Sequence, residues 1–351
     1  MNPLLTRLTV AGRSLATVTV DSATHSMLIW VVMIACIAGC SSPQAEDISG
    51  AIPIRLERGD PERLLRFYVG SYVGETGGDP VLAGVLEERE NSWFLRHPSF
   101  WQEVDTSLQQ LYRDGLSAEE ISKDLMDSFL MSSYYFARRA PQAIEVWREN
   151  LGDWTSLEKW LSIDVKGSMS PFPRRVAIKR SAVLSALNQV EEIESPILYP
   201  VGTAVIGEHF SNGFVVETTI MQKRSDGFWD FFAYDDEGQL VDRVQKQPDD
   251  MMVPIRCTGC HFGTRQYEPE RSFPARVEDG PDGPRFIEVA EGLRNASIVS
   301  TLQEHAKRSD ILLGLYGTIY LSEIAQRISR GEATSEEIGL AFKFGIESAS
   351  Q

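Results

Sequence analysis

Cysteine and histidine are scarce in this chain, with four Cys and five His among 351 residues. Cys36 and Cys40 stand near the N-terminus, so only Cys257 and Cys260 remain for the rest of the chain. A thiolate-rich zinc site of about four ligands cannot be assembled from that supply. Basic residues are also in deficit: 34 Lys and Arg face 50 Asp and Glu, a formal net charge of −16. A surface of that sign repels phosphate backbones and argues against nucleic-acid binding. No uncharged apolar run is long enough to span a bilayer as a helix, which takes about 20 residues; Met27 to Ile37 and Ile311 to Leu321 both fall short. Methionine is absent after Met252. No Ser-His-Asp arrangement, phosphate loop, carboxylate-rich metal loop or internal repeat stands out.

The two remaining cysteines are Cys257-Thr258-Gly259-Cys260-His261. Two cysteines separated by two residues and followed directly by histidine form the attachment motif for c-type haem. The thiols of Cys257 and Cys260 add across the two haem vinyl groups, and His261 is placed to bind iron on the proximal face. The motif predicts one covalently attached haem c. A zinc site or a redox pair of cysteines is the plainer alternative, and the missing further ligands weigh against zinc.

The leader supports the same compartment. Arg7 and Arg13 precede the apolar stretch, and Ile37-Ala38-Gly39-Cys40 closes it. This reads as a secretory signal over residues 1–39. It also resembles the lipobox of bacterial lipoproteins, which implies cleavage before Cys40 and lipidation of its thiol. Ser41 and Ser42 follow, without Asp at the second position, so the resemblance implies an outer-membrane lipoprotein of the bacterial envelope facing the periplasm. The stretch before Met27 is long for a leader and holds Asp21, which fits a start further downstream. Cys36 leaves with the leader, Cys40 takes lipid, and the other two take haem, so no thiol is left over. That suits an oxidising exported compartment. An acidic mature protein also suits a basic redox partner, although solubility alone accounts for it.

The predicted fold is α+β: an antiparallel sheet holding the haem motif, preceded by helices and followed by more. Residues 40–53 are polar and small, as in a tether. Residues 54–153 are expected to be helical. Pro61 opens a first turn, Ser117-Ala118-Glu119-Glu120 reads as a capping box leading into Ile121, Leu125 and Phe129, and Thr155-Ser156-Leu157-Glu158 reads as a box opening a short helix that carries Trp160. Over 154–280 the texture changes. Arg175 to Lys179 reads as a strand followed by a helix to about Ile193, and Thr203–Phe210, Gly213–Lys223 and Gly227–Tyr234 read as three strands joined by short turns. Asp235-Asp236-Glu237-Gly238 is a turn signal. Over 281–351, helices are predicted at Phe286–Lys307 and Ile311–Ser329, with the run Ile311–Leu321 packed in the core. A last helix starts from the box Thr334-Ser335-Glu336-Glu337.

Small helical cytochromes carry a methionine well downstream of the motif, and none follows His261. The segment from about Trp154 to Arg276 instead resembles the cytochrome P-460 family. The resemblance rests on an ordered set: Glu158-Lys159-Trp160, then Tyr199-Pro200-Val201-Gly202-Thr203-Ala204-Val205-Ile206, then Met221-Gln222-Lys223, Gly227 to Phe232, Asp236-Glu237-Gly238, and finally Cys257 to His261. It implies an antiparallel sheet with flanking helices and an iron that binds small ligands. Cross-linked members carry Gly-Thr-x-x-x-Lys-Glu, whose lysine bonds the haem edge. Here Gly207 takes the lysine position, so the chain resembles more closely the non-cross-linked cytochrome c′-β type, which implies nitric oxide binding over hydroxylamine oxidation.

His209 lies two residues beyond Gly207 and projects to the same side of an extended strand. It is the candidate distal group, either as iron ligand or as donor to a bound diatomic; the plainer expectation is a histidine at a sheet edge with no such role. His97 and His305 read as surface or capping residues, Lys223 as a solvated strand end, and Glu208 as pointing away from Gly207. Phe210, Phe228, Trp229, Phe231 and Phe232 are candidates for pocket wall or core. The function expected is binding or turnover of nitrogen oxides or peroxide. An electron-transfer cytochrome with His261 opposite His209 is one alternative, and a structural haem on a partner-binding scaffold is another.

Overall fold

Ile52 and Ile54 alternate with Pro53 and Arg55, and this period of two turns both isoleucines inward on strand β1 (Ile52–Arg55). The computed structural model divides at Ser49–Gly50 into two units. It describes residues 50–56, 61–166, 172–190, 198–244, 252–255, 257–258, 286–288 and 311–346. The signal segment, Cys36, Cys40, Cys260, His261, His305 and the stretch 289–307 lie outside the described residues.

Helix α1 (Pro61–Gly70) starts at the predicted proline and buries Leu64, Leu65, Phe67 and Tyr68. The helical expectation for 54–153 then needs correction, because the segment also builds a sheet of order β2-β3-β1-β4. Strands β2 (Leu86–Arg89) and β3 (Ser92–Leu95) form a hairpin on Glu90 and Asn91, with φ of 48° and 63°. Two consecutive positive φ values match the twist of paired strands. Helix α2 (Leu108–Ala118) runs through Ser117 and ends where Glu119 turns to φ 62°. Ser117 opens no helix; its hydroxyl donates back to the Arg113 carbonyl at 3.0 Å. Ile121 begins strand β4 (Ile121–Ser122), and it is Ser122 that caps helix α3 (Lys123–Ala137), accepting from the Leu125 amide at 3.2 Å. Helix α4 (Ile144–Leu151) follows.

Trp160 opens strand β5 (Trp160–Lys166) and lies on no helix, contrary to the capping-box expectation at Thr155. Strand β6 (Arg174–Lys179) and helix α5 (Arg180–Gln189) follow as predicted. Strands β7 (Ala204–Ser211), β8 (Phe214–Lys223) and β9 (Trp229–Tyr234) realise the three expected strands, with β7 and β8 joined at Asn212–Gly213, both at positive φ. Asp235 then makes the expected turn, its carboxylate accepting from the Glu237 and Gln239 amides at 3.1 and 2.8 Å, before strand β10 (Leu240–Val241). Strand β11 (Phe286–Glu288) pairs with β5 where a helix was expected to start. The sheet order is β10-β9-β8-β7-β6-β5-β11, each neighbouring pair antiparallel. The fold is α+β.

The two faces of this sheet bury different partners. Leu161, Ile178, Val205 and Phe231 join one core with Val183 and Leu187 of α5 and with Tyr316, Ile319 and Ile324 of helix α6 (Ile311–Arg330). Trp160, Ala177, Ile206, Ile220 and Phe232 face the other way, onto Ile144 and Trp147 of α4 and onto Trp154. Tyr316, Ile319, Tyr320 and Leu321 of the apolar run in α6 therefore pack in the core, and no described helix is long and apolar enough to cross a membrane. Helix α7 (Ser335–Lys343) carries the full capping box predicted, Thr334 and Glu337 bonding each other's backbone amides.

A buried ion network joins the N-terminal helices to the sheet. Arg224 donates to the Phe67 carbonyl at 3.2 Å and to the Ser71 hydroxyl at 2.6 Å, and pairs with Asp226. Asp230 accepts from Arg138 Nε at 2.7 Å and from the Tyr134 hydroxyl at 3.0 Å, with Arg224 at 3.5 Å. Burial alone would discourage the Arg224 charge, but the Asp230 and Asp226 carboxylates outweigh it and leave its pKa raised.

Candidate haem-attachment site

The side-chain period of two sets three cross-strand rows on the sheet face that packs on α5 and α6. The first is apolar: Leu161, Ile178, Val205, Met221 and Phe231 stand in register across β5 to β9. The second is small: Val176, Gly207, Thr219, Ala233 and Val241 run from β6 to β10. The third is polar: Arg174, His209 and Glu217. From β6 to β10 this middle row has no side chain longer than valine, and Ile163 of β5 continues it beside Val176. Gly207 is buried there, and a Cβ on it would meet the Thr219 hydroxyl at 2.7 Å.

The described part of the cysteine motif lies at the β10 end of this sheet. Arg243 bridges Met252, and the Val253 amide donates to the Asp242 carbonyl at 2.9 Å, holding the returning chain beside β10. The Val253–Pro254 peptide is cis. Ile255, Cys257 and Thr258 then take helical geometry; the Thr258 amide donates to Pro254 at 3.0 Å and its hydroxyl to Ile255 at 2.8 Å. Cys257 is half-buried, and with Ile255 it packs against the same core as the apolar row. Tyr135 closes the edge, its hydroxyl donating to the Val241 carbonyl at 2.7 Å. Burial raises that phenol's pKa, and the neighbouring Cys257 thiol adds to the rise.

His209 shares the face of Gly207, as the strand period predicts, but it is no edge residue. It lies on an interior strand, is 2% exposed, and its Nε2 stands 3.6 Å from Glu217 Oε1. Burial, reinforced by the Arg174 charge, holds its pKa at about 3. The imidazole is therefore neutral at ordinary pH. Arg174 and Glu217 had no distinguishing local signal in the sequence; only the register brings them beside His209. Glu208 points to the opposite face and accepts from Trp154 Nε1 at 2.8 Å.

The other candidates separate cleanly. Trp229 and Phe231 belong to the core on the Gly207 side, with Phe228 packed against it, and Phe232 belongs to the opposite core. Phe210 lies under the Arg175 guanidinium at 5.4 Å. His97 caps a short turn by accepting from the Ser99 amide at 3.2 Å. Lys223 ends its strand on the Gly227 carbonyl. Gly202 enters β7 at φ 82°, a left-handed turn that favours glycine, and its amide donates to Lys223 at 2.8 Å.

The His209 shift has a measurable consequence. An unfolded imidazole titrates near 6.5, so between about pH 6.5 and pH 3 the unfolded chain takes up a proton that the folded chain refuses. Stability held above that window is lost as pH falls through it, with a slope approaching about 1.4 kcal/mol per pH unit. Replacing His209 by Gln should flatten unfolding free energy against pH over this window by up to one proton. An unchanged slope would show that the imidazole is not held neutral.

Comparison with protein-family models, curated proteins and solved structures finds no match for this chain.

Proposed function

We propose that the chain is a c-type monohaem protein, anchored by lipid at Cys40 to the periplasmic side of an outer membrane, that binds or turns over small nitrogen oxides, nitric oxide foremost, or peroxide. The supporting observation is one of placement: Cys257, first residue of the attachment motif, packs at the edge of a sheet face whose middle row has only short side chains over β6 to β10. Cys257 and Cys260 would hold the group as thioethers and His261 would ligate its iron. When bound, haem supplies an iron able to take up diatomic ligands or exchange electrons.

The chain's own residues favour ligand binding. Val205, Met221 and Phe231 provide an apolar flank that excludes water. Gly207 offers no amine, so a lysine–haem bond of the cross-linked type cannot form at that position. His209, neutral and buried, would present a hydrogen-bond donor toward a bound ligand. The same burial of His209 on the Gly207 face favours a second reading, in which it would be a second iron ligand beside His261 and the protein would transfer electrons to a basic partner.

The ferrous spectrum separates the two. A high-spin ferrous form that takes up nitric oxide is expected. A low-spin form inert to nitric oxide, converted to high spin by His209→Ala, would establish the electron-transfer reading instead.

A further inference from the structure

Two large apolar side chains stand exposed on loops that touch each other. Leu82 is 80% exposed and Phe100 is 47% exposed. The loops are fixed in contact: the Gln102 amide donates to the Ala83 carbonyl at 2.9 Å, and a Cβ on Gly84 would lie 2.3 Å from the Phe100 carbonyl oxygen. Gly84 has φ of 73°, so the close approach and the backbone both call for glycine. The turn carrying Leu82 is closed by Ala83 to Asp79 and Gly84 to Val81 amide bonds at 3.0 Å each. Leu82 and Phe100 are therefore presented on rigid backbone. The Arg96 guanidinium lies over the Phe100 ring at 4.1 Å. Arg96 also pairs with Glu87 at 3.5 Å, so it is the two exposed apolar tips that match the acyl layer of a membrane interface.

The position of this patch relative to the chain's entry point is the second observation. Gly50 is the first described residue. Its carbonyl accepts from the Tyr112 hydroxyl at 2.5 Å, and a Cβ on it would lie 3.2 Å from the His97 ring. His97 is the residue that caps the turn ending at Phe100. The described fold thus begins beside the patch. From Cys40 to Gly50 the chain can reach at most about 35 Å when fully extended. A short tether keeps the local concentration of membrane high, so a modest apolar contact is enough to set orientation.

We infer that the Leu82 and Phe100 loop tips dock into the phospholipid surface that holds the acylated Cys40, fixing which way the haem-bearing sheet faces. The inference rests on the lipid-anchor reading. It is tested on the full chain, expressed in a bacterium that acylates lipoproteins, with benzoylphenylalanine placed by turns at position 82, 100 or 342. Phe342, on α7, is 79% exposed and serves as the exposed apolar control. Irradiated membranes should give phospholipid adducts at 82 and 100 in several-fold higher yield than at 342. Equal yields at the three positions, no adducts, or adducts to a second copy or another protein in acylated chain would overturn the docking. Acylation is read separately from the mass of the N-terminal peptide. A Cys40 without acyl chains removes the anchor reading, and the docking falls with it.

Discussion

A chain with both Cys257 and Cys260 replaced by Ala should be exported without any covalently held haem. The effect is expected to be near total, because the other two cysteines, Cys36 and Cys40, stand near the N-terminus in no such pair followed by histidine. Folding should survive the change. Cys257 is only half-buried at the sheet edge, and exchanging one small side chain for another there costs little beside the core contacts of Ile255 and Val253. The measurement is haem staining of denatured protein, read against the parent chain. Single replacements should leave at most one thioether and a reduced, vinyl-shifted haem signal. Undiminished staining of the double variant would mean that the motif is not the attachment point.

The second large effect concerns stability and involves no cofactor. Asp230 is 1% exposed and is the shared anion of Arg224 and Arg138. Replacing it by Ala would leave Arg138 in the interior with only the Ser71 carbonyl among its named partners, and Arg224 dependent on Asp226. Tyr134 would also lose the acceptor of its hydroxyl proton. Removing one member of a buried ion pair typically costs about 3–5 kcal/mol. For a chain of this size that is a drop in Tm on the order of 10 °C. Asp230→Asn should recover little, since it restores shape without charge. Denaturant unfolding showing a loss under about 1 kcal/mol would contradict the network's role as a latch between helices and sheet.

Much of the sheet was legible because its strands are long and punctuated. The runs around Val205, Ile220 and Phe231 alternate or are continuously apolar, and a turn was legible at Ser211–Asn212, one residue before the Asn212–Gly213 turn that the chain makes. The helix from Ile311 and the box at Thr334 were legible for the same reason: periodicity and capping are local. The strands of the first sheet were hidden by length and charge. Leu86-Glu87-Glu88-Arg89 buries chiefly Leu86 and is held by pairing to β3. Ser117-Ala118-Glu119-Glu120 has the pattern of a capping box, but α2 already occupies Ser117, and Ile121 is drawn into parallel pairing with β1. No local pattern reports that pairing.

The candidate site divides along the same line. The cysteine motif and the common side of Gly207 and His209 follow from spacing alone. The row Arg174, His209, Glu217 does not, because it is assembled from three strands by register. Buried charge misleads sequence reading in general: Arg224 and Asp230 look like strand-end surface residues until the helices that cover them are placed.

The central claim is that this chain carries one haem, held covalently by Cys257 and Cys260. Intact-mass measurement of the denatured, purified chain tests it most directly, using protein made in a host competent for c-type haem attachment. The predicted result is the mass of the processed chain plus one haem, with the added mass on the peptide that holds Cys257 and Cys260. A chain that carries no added haem mass under those conditions, with both thiols free to alkylate, would contradict the account.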